Sequence, residues 1–328
     1  MLTIKTTPHL YGISLQGDYT DLNELYYALS RYLAFYQEHA IAYPYDEYEY
    51  LLSLNYDIRH AFQGDRNYIL MENNADGIGR SAECLYELPD DFEADVRSIR
   101  SKCKNGNLYF SVEILYPMVF HYLFSLERIL NDYYSQSWFT VNDDEAETAN
   151  ANTPDSNNYR LEHRRPVYTQ LNAEHDRSLI RLFTSLLWNN VSELFGTSLT
   201  QELYTAFRDQ EIGITPNIYT DAVLHRMLAQ FHTLTESEKK DFLLLSLIEI
   251  MDESELLASR NKRYMLISTR CREAQKNLRA IKKEFPVRKT FYRELRKAFP
   301  GNQGISMDAF DDFLDKQYGT TDIEEPEW

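Results

Sequence analysis

Asn107 to Tyr134 reads NLYFSVEILYPMVFHYLFSLERILNDYY, and two structural periods share it. Asn107–Leu115 is a run of aromatic and β-branched residues that fits a pleated strand. Pro117 then suits the first turn of a helix, because its missing N–H falls where no intrahelical partner exists. From there Val119, Phe120, Leu123, Phe124, Leu126, Ile129 and Leu130 recur at helical spacing and give a broad apolar face to about residue 134. A strand running directly into a long amphipathic helix predicts an α+β unit.

Upstream segments fit the same unit. LTIKTT (2–7) and GISLQ (12–16) flank Pro8 and Gly12 and read as a strand pair. Thr20 is a helix cap with Asp21 and Glu24 in the first turn, and apolar spacing through Tyr36 predicts a helix over 20–38. A second helix is expected over 45–63, with Gly64 at the position of a left-handed C-terminal cap, followed by a strand at 67–72. Pro89-Asp90-Asp91 looks like another helix start.

Residues 141–158, VNDDEAETANANTPDSNN, carry five acids, no base and no aromatic residue, a composition that cannot offset the entropy of ordering. Residues 141–160 are therefore expected to be an acidic linker or loop between an α+β domain at 1–140 and a helical domain at 161–328. Within the latter, helical periods are expected at 176–195, 198–209, 217–232, 236–258, 260–284, 288–299 and 306–317. Thr235-Glu-Ser-Glu238 forms a capping box and Ser306 caps the last helix. The fold class expected is an α+β N-terminal domain followed by an all-α C-terminal domain.

The 328 residues carry 34 Lys+Arg against 51 Asp+Glu, a net charge of −17 that repels nucleic-acid phosphate and anionic lipid from most of the surface. Cys84, Cys103 and Cys271 lie far apart and form no CxxC pair, which fits a reducing cytosol. With no apolar run of membrane-spanning length, a soluble cytoplasmic protein is expected.

The charge is unevenly shared. Between Ser259 and Lys297 stand 14 bases and three acids, a segment of +11 in a chain of −17. Its candidate binding residues are Arg260, Lys262, Arg263, Arg270, Arg272, Lys276, Arg279, Lys282, Lys283, Arg288 and Lys289, with Arg293, Arg296 and Lys297 beyond them. Such helices can dock an acidic protein, neutralise nucleic-acid phosphate, or pack beside the chain's own acidic unit. The following helix carries Asp308, Asp311, Asp312 and Asp315, the wrong sign for entering a DNA groove.

Catalytic signals are sparse. Asp57 and His60 are three apart on a predicted helix, so the carboxylate could orient the imidazole as a general base, with Arg59 and Arg66 holding an anion nearby. The bland alternative is that these charges form ion pairs at the helix end. Glu113 interrupts an apolar strand and either pairs with Arg59 or Arg66 or faces solvent on alternate spacing. His225 and His232 are two turns apart, unsuited to chelating one metal, and Gly77-Ile-Gly79 lacks the third glycine of a dinucleotide loop. No cofactor and no metal is expected. The tyrosines of Tyr43-Pro-Tyr45-Asp-Glu-Tyr48-Glu-Tyr50 suit either a helix start or an interface.

GISLQGDYTDLNELYYAL (12–29), YDIRHAFQGDR (56–66) and NLYFSVEILYPMVF (107–120) resemble a family of bacterial proteins of unassigned function, over about residues 1–135. The resemblance implies an α+β unit and groups Asp57, Arg59, His60, Gly64, Asp65 and Arg66 as one site candidate. Missing catalytic signatures and the charge separation together favour a non-enzymatic binding or regulatory module. Its expected partner is a protein, or another copy of the chain. Nucleic-acid association through 259–297 and an enzyme centred on His60 and Asp57 are the alternatives.

Overall fold

The computed structural model describes residues 1–39, 45–72, 106–132, 170–209, 217–251, 264–283, 288–300 and 306–318. Strand β1 (Thr3–Thr6) and strand β2 (Gly12–Gly17) pair antiparallel around a 3-10 turn at Pro8–Leu10. Helix α1 spans Tyr19–His39 and helix α2 Tyr45–His60. Strand β3 (Asn67–Glu72) and strand β4 (Gly106–Leu115) complete an all-antiparallel sheet in the order β1-β2-β4-β3. Leu115 ends the central strand and Tyr116 opens helix α3 (Tyr116–Asp132), so the switch of period at Pro117 is a real corner of the fold.

The sheet sorts its side chains by alternation. Ile13 and Leu15 face the core opposite Ile114 and Val112, whereas Ser14 and Gln16 lie opposite Glu113 and Ser111 on the polar face. Gly12 is required by its neighbour: a Cβ there would stand 2.0 Å from the Ile114 carbonyl oxygen.

Every described element from residue 170 onward is helical. Helix α4 spans Gln170–Phe195, α5 Thr197–Asp209, α6 Asn217–Gln230, α7 Glu236–Ile250, α8 Met265–Ala280, α9 Arg288–Ala298 and α10 Met307–Tyr318. Thr235 and Glu238 form the expected reciprocal capping box, and Ser306 Oγ accepts the Ala309 N–H. A 3-10 turn at Phe231–Thr233 replaces the expected end of α6. Helix α8 stops short of residue 284 because Lys282 adopts a left-handed φ of 58°. The helix start at Pro89, the acidic stretch 141–160, Cys84, Cys103 and residues 252–263 lie outside the described residues.

Buried apolar side chains from Leu2 to Leu314 form one continuous cluster. Polar contacts cross it. The Arg31 guanidinium donates two hydrogen bonds, 2.7 and 2.5 Å, to the fully buried Asp176 on α4. Tyr116 donates to Asn190 (3.0 Å), which donates to Thr6 (2.9 Å), while Tyr50 donates to Asp221. Lys239 on α7 reaches the His9 carbonyl at 2.9 Å, holding the turn where His9 and Leu10 take left-handed φ angles. No helix among the described residues is long and apolar enough to cross a membrane.

Candidate functional site

The end of α2 is built around Ile58 and Ala61, both fully buried, and Gly64, whose φ of 91° turns the chain into β3. That turn brings Asp65 Oδ2 to 2.7 Å from His60 Nδ1 and lets Arg66 donate to Asp57 Oδ1 at 2.6 Å. The expected orientation of His60 by Asp57 is therefore replaced: Arg66 engages Asp57, and Asp65 holds the imidazole. Arg59 lies 5.1 Å over the Tyr56 ring, which also packs 4.1 Å from the His60 ring. His60 Nε2 is buried and has no hydrogen-bond partner among the described residues.

Glu113 pairs with neither arginine. It accepts from Ser14 (3.2 Å), Ser111 (3.1 Å) and Asn67 (3.3 Å) on the polar face of the sheet, where neutral donors partner a half-buried carboxylate.

The basic segment shows how a charged helix can be anchored and still present its charges. Ile267, Cys271, Ala274 and Leu278 bury one side of α8, mainly against α7 and α5. Burial pushes the Cys271 thiol up to about 12, so it behaves as an apolar group. On the other side Arg272, Lys276 and Arg279 follow at intervals of four and three residues and make one stripe, and Lys282 and Lys283 stand in the turn just past the helix end. Arg270 is spent on Glu273 at 3.1 Å, and Arg272 Nε donates to the Ser268 carbonyl at 3.1 Å. Lys276, Arg279, Lys282 and Lys283 have no anionic partner among the described residues, and the first three are exposed.

The helix end is closed by Lys282 N–H to the Arg279 carbonyl and Lys283 N–H to the Leu278 carbonyl, both 3.0 Å. That is a Schellman arrangement with lysine at the left-handed position usually held by glycine. On α9, Arg293 and Lys297 both bind Glu294, whose carboxyl their hydrogen bonds hold below the usual range. Lys289 and Arg296 are exposed and unpartnered among the described residues. Arg288 opens α9, whereas Arg260, Lys262 and Arg263 lie outside the described residues.

Sequence reasoning missed a third place. A cleft of about 490 Å³ opens between α3, α4 and α5. Gly196, with φ of 88°, makes the corner joining α4 to α5. Trp188 Nε1 donates to Glu127 Oε1 at 2.9 Å, and burial raises the Glu127 carboxyl despite nearby Arg181. Its signal was legible as a polar period. Arg181, Thr184, Ser185, Trp188, Asn189 and Ser192 on α4 face Thr197, Thr200, Gln201, Tyr204 and Arg208 on α5, both sets at helical spacing. Apolar periodicity alone does not register such a stripe.

Residues 2–86 match a family described only as a domain of unknown function (DUF6904). The matched stretch runs from β1 through β3 and includes the Asp57–Arg66 cluster, while the cleft and the basic helices lie beyond it. No curated protein and no solved structure matches the chain.

Proposed function

We propose that the protein is a non-enzymatic binding module that docks an acidic protein surface on the basic face of α8, in the cytoplasm. The reading rests on one observation above the others: Lys276 and Arg279 on the outer side of α8, with Lys282 and Lys283 just past its end, have no anionic partners among the described residues. Neutralisation by the acids of the described residues would have drawn these side chains onto them. Instead α8 meets α7 chiefly through apolar side chains and the hydrogen bond from Asn277 to Asp241, 2.8 Å. An acidic protein is favoured over nucleic acid because an acidic patch of limited extent can engage the basic face alone, whereas a long polyanion also meets the negative remainder of a chain of −17.

The test is fluorescence anisotropy at several salt concentrations, with a labelled Asp/Glu-rich peptide and with labelled single- and double-stranded DNA and RNA. The reading predicts saturable, salt-sensitive peptide binding that the triple reversal Arg279→Glu, Lys282→Glu, Lys283→Glu weakens at least about tenfold. Tighter, salt-steep binding of nucleic acid would transfer the surface to that partner. Absence of binding to either probe at low salt would remove the docking role.

A further inference from the structure

We propose that the cleft between α3, α4 and α5 binds a small zwitterion with an apolar body, an apolar α-amino acid being the simplest member of the class. Glu127 would take the ammonium, Arg181 the carboxylate, and Tyr204 with Phe207 the side chain.

The geometry points there in three steps. First, a volume of about 490 Å³ is in the range of small-molecule sites. Second, the lining carries both signs, Glu127 against Arg181 and Arg208, and Glu127 and Arg181 are not joined by an ion pair. Glu127 spends one oxygen on the indole N–H of Trp188, and a carboxylate can accept several further hydrogen bonds. Arg181 is exposed and hydrogen-bonds no acid among the described residues. A ligand carrying only one charge would leave the other group facing it unfavourably.

Third, the remaining walls divide by character. Phe207 and Trp188 are buried, with Tyr204 set edge-on to Trp188 at 5.2 Å, which makes an aromatic wall. The Ser185, Thr184 and Thr200 hydroxyls already donate to backbone carbonyls of Arg181 and Gly196. What they offer a ligand is acceptor capacity, which suits an ammonium better than an anion. Burial of Glu127 adds to this preference, since it deprives the carboxylate of water.

Isothermal titration calorimetry on the full chain tests the assignment, with L-phenylalanine and L-leucine as probes. Phenethylamine lacks the carboxylate, hydrocinnamate lacks the ammonium, and glucose is a neutral control. The expected result is saturable binding of both amino acids and at least tenfold weaker binding of the three comparators. Glu127→Gln, which keeps the acceptor for Trp188, and Arg181→Met at the rim should each weaken L-phenylalanine at least tenfold. Arg181→Met is exposed and keeps the test alive if the inner substitution disturbs folding. No saturable heat up to about 10 mM amino acid, equal binding of any comparator, or indifference to both substitutions overturns the proposal. These outcomes do not depend on whether the basic face of α8 binds an acidic partner.

Discussion

His121 is fully enclosed, its ring tilted against the Tyr50 ring with centroids 4.6 Å apart, and Thr220 Oγ1 lies 3.3 Å from Nδ1. Burial pushes its pKa down to about 3 from 6.5, so the folded chain keeps it neutral where the unfolded chain protonates it. Protons then favour unfolding as pH falls below 6.5, and the loss continues towards pH 3. Between pH 6.5 and pH 5 this one residue removes about 2 kcal/mol of stability. Urea unfolding of His121→Phe should show that much less pH dependence over the interval, despite lower stability at pH 7. An unchanged slope would mean that His121 is not the group responsible. Lys282 makes a second residue-scale prediction. Its left-handed φ is a conformation that glycine adopts at no steric cost. Lys282→Gly should therefore stabilise the fold by about 0.5–1 kcal/mol while weakening the acidic peptide in the anisotropy assay. A residue that costs stability where it stands is what a functional surface leads one to expect.

Elements were legible where local chemistry and tertiary packing agree. The strands β3 and β4, the caps at Thr235 and Ser306 and the corner at Pro117 all follow from side chains within a few residues. The misreadings share a different cause. Asp57 and His60 are neighbours on a helix, but the turn at Gly64 returns Asp65 and Arg66 onto them, and an i,i+3 rule cannot anticipate a chain that folds back. Glu113 took its partners from strands 46 and 99 residues away in sequence. The cleft needed three helices to be placed together before Glu127 and Trp188 could meet. Helix α8 shows the converse, since its basic stripe was legible as composition and its exposure was not.

Across the whole molecule, polar contacts pin the sheet-bearing part to the helical part over a shared apolar cluster. Asp176 is fully buried, and the Arg31 fork is among the contacts that compensate it. Removing a charged donor from a buried carboxylate weakens its compensation. Arg31→Met should therefore cost about 1.5–3 kcal/mol in urea unfolding, and a loss below about 1 kcal/mol would mean that the contact is only superficial. Charge is also organised at this scale. The segment of +11 sits in a chain whose other residues are strongly acidic, and the described part of that segment turns its cations outward. Sequence supplied the asymmetry, while the direction in which it points required the packing of α8 on α7.

The most direct test of the docking account is site-specific photo-crosslinking in cells, with the reactive side chain placed at Lys276 on the basic face and, as a control, at the exposed Ser178 on α4. The account predicts a discrete protein adduct from position 276, joined through an acidic segment of the partner and lost when Arg279, Lys282 and Lys283 are reversed. Matching adducts from both positions, adducts to nucleic acid, or none from position 276 would contradict it.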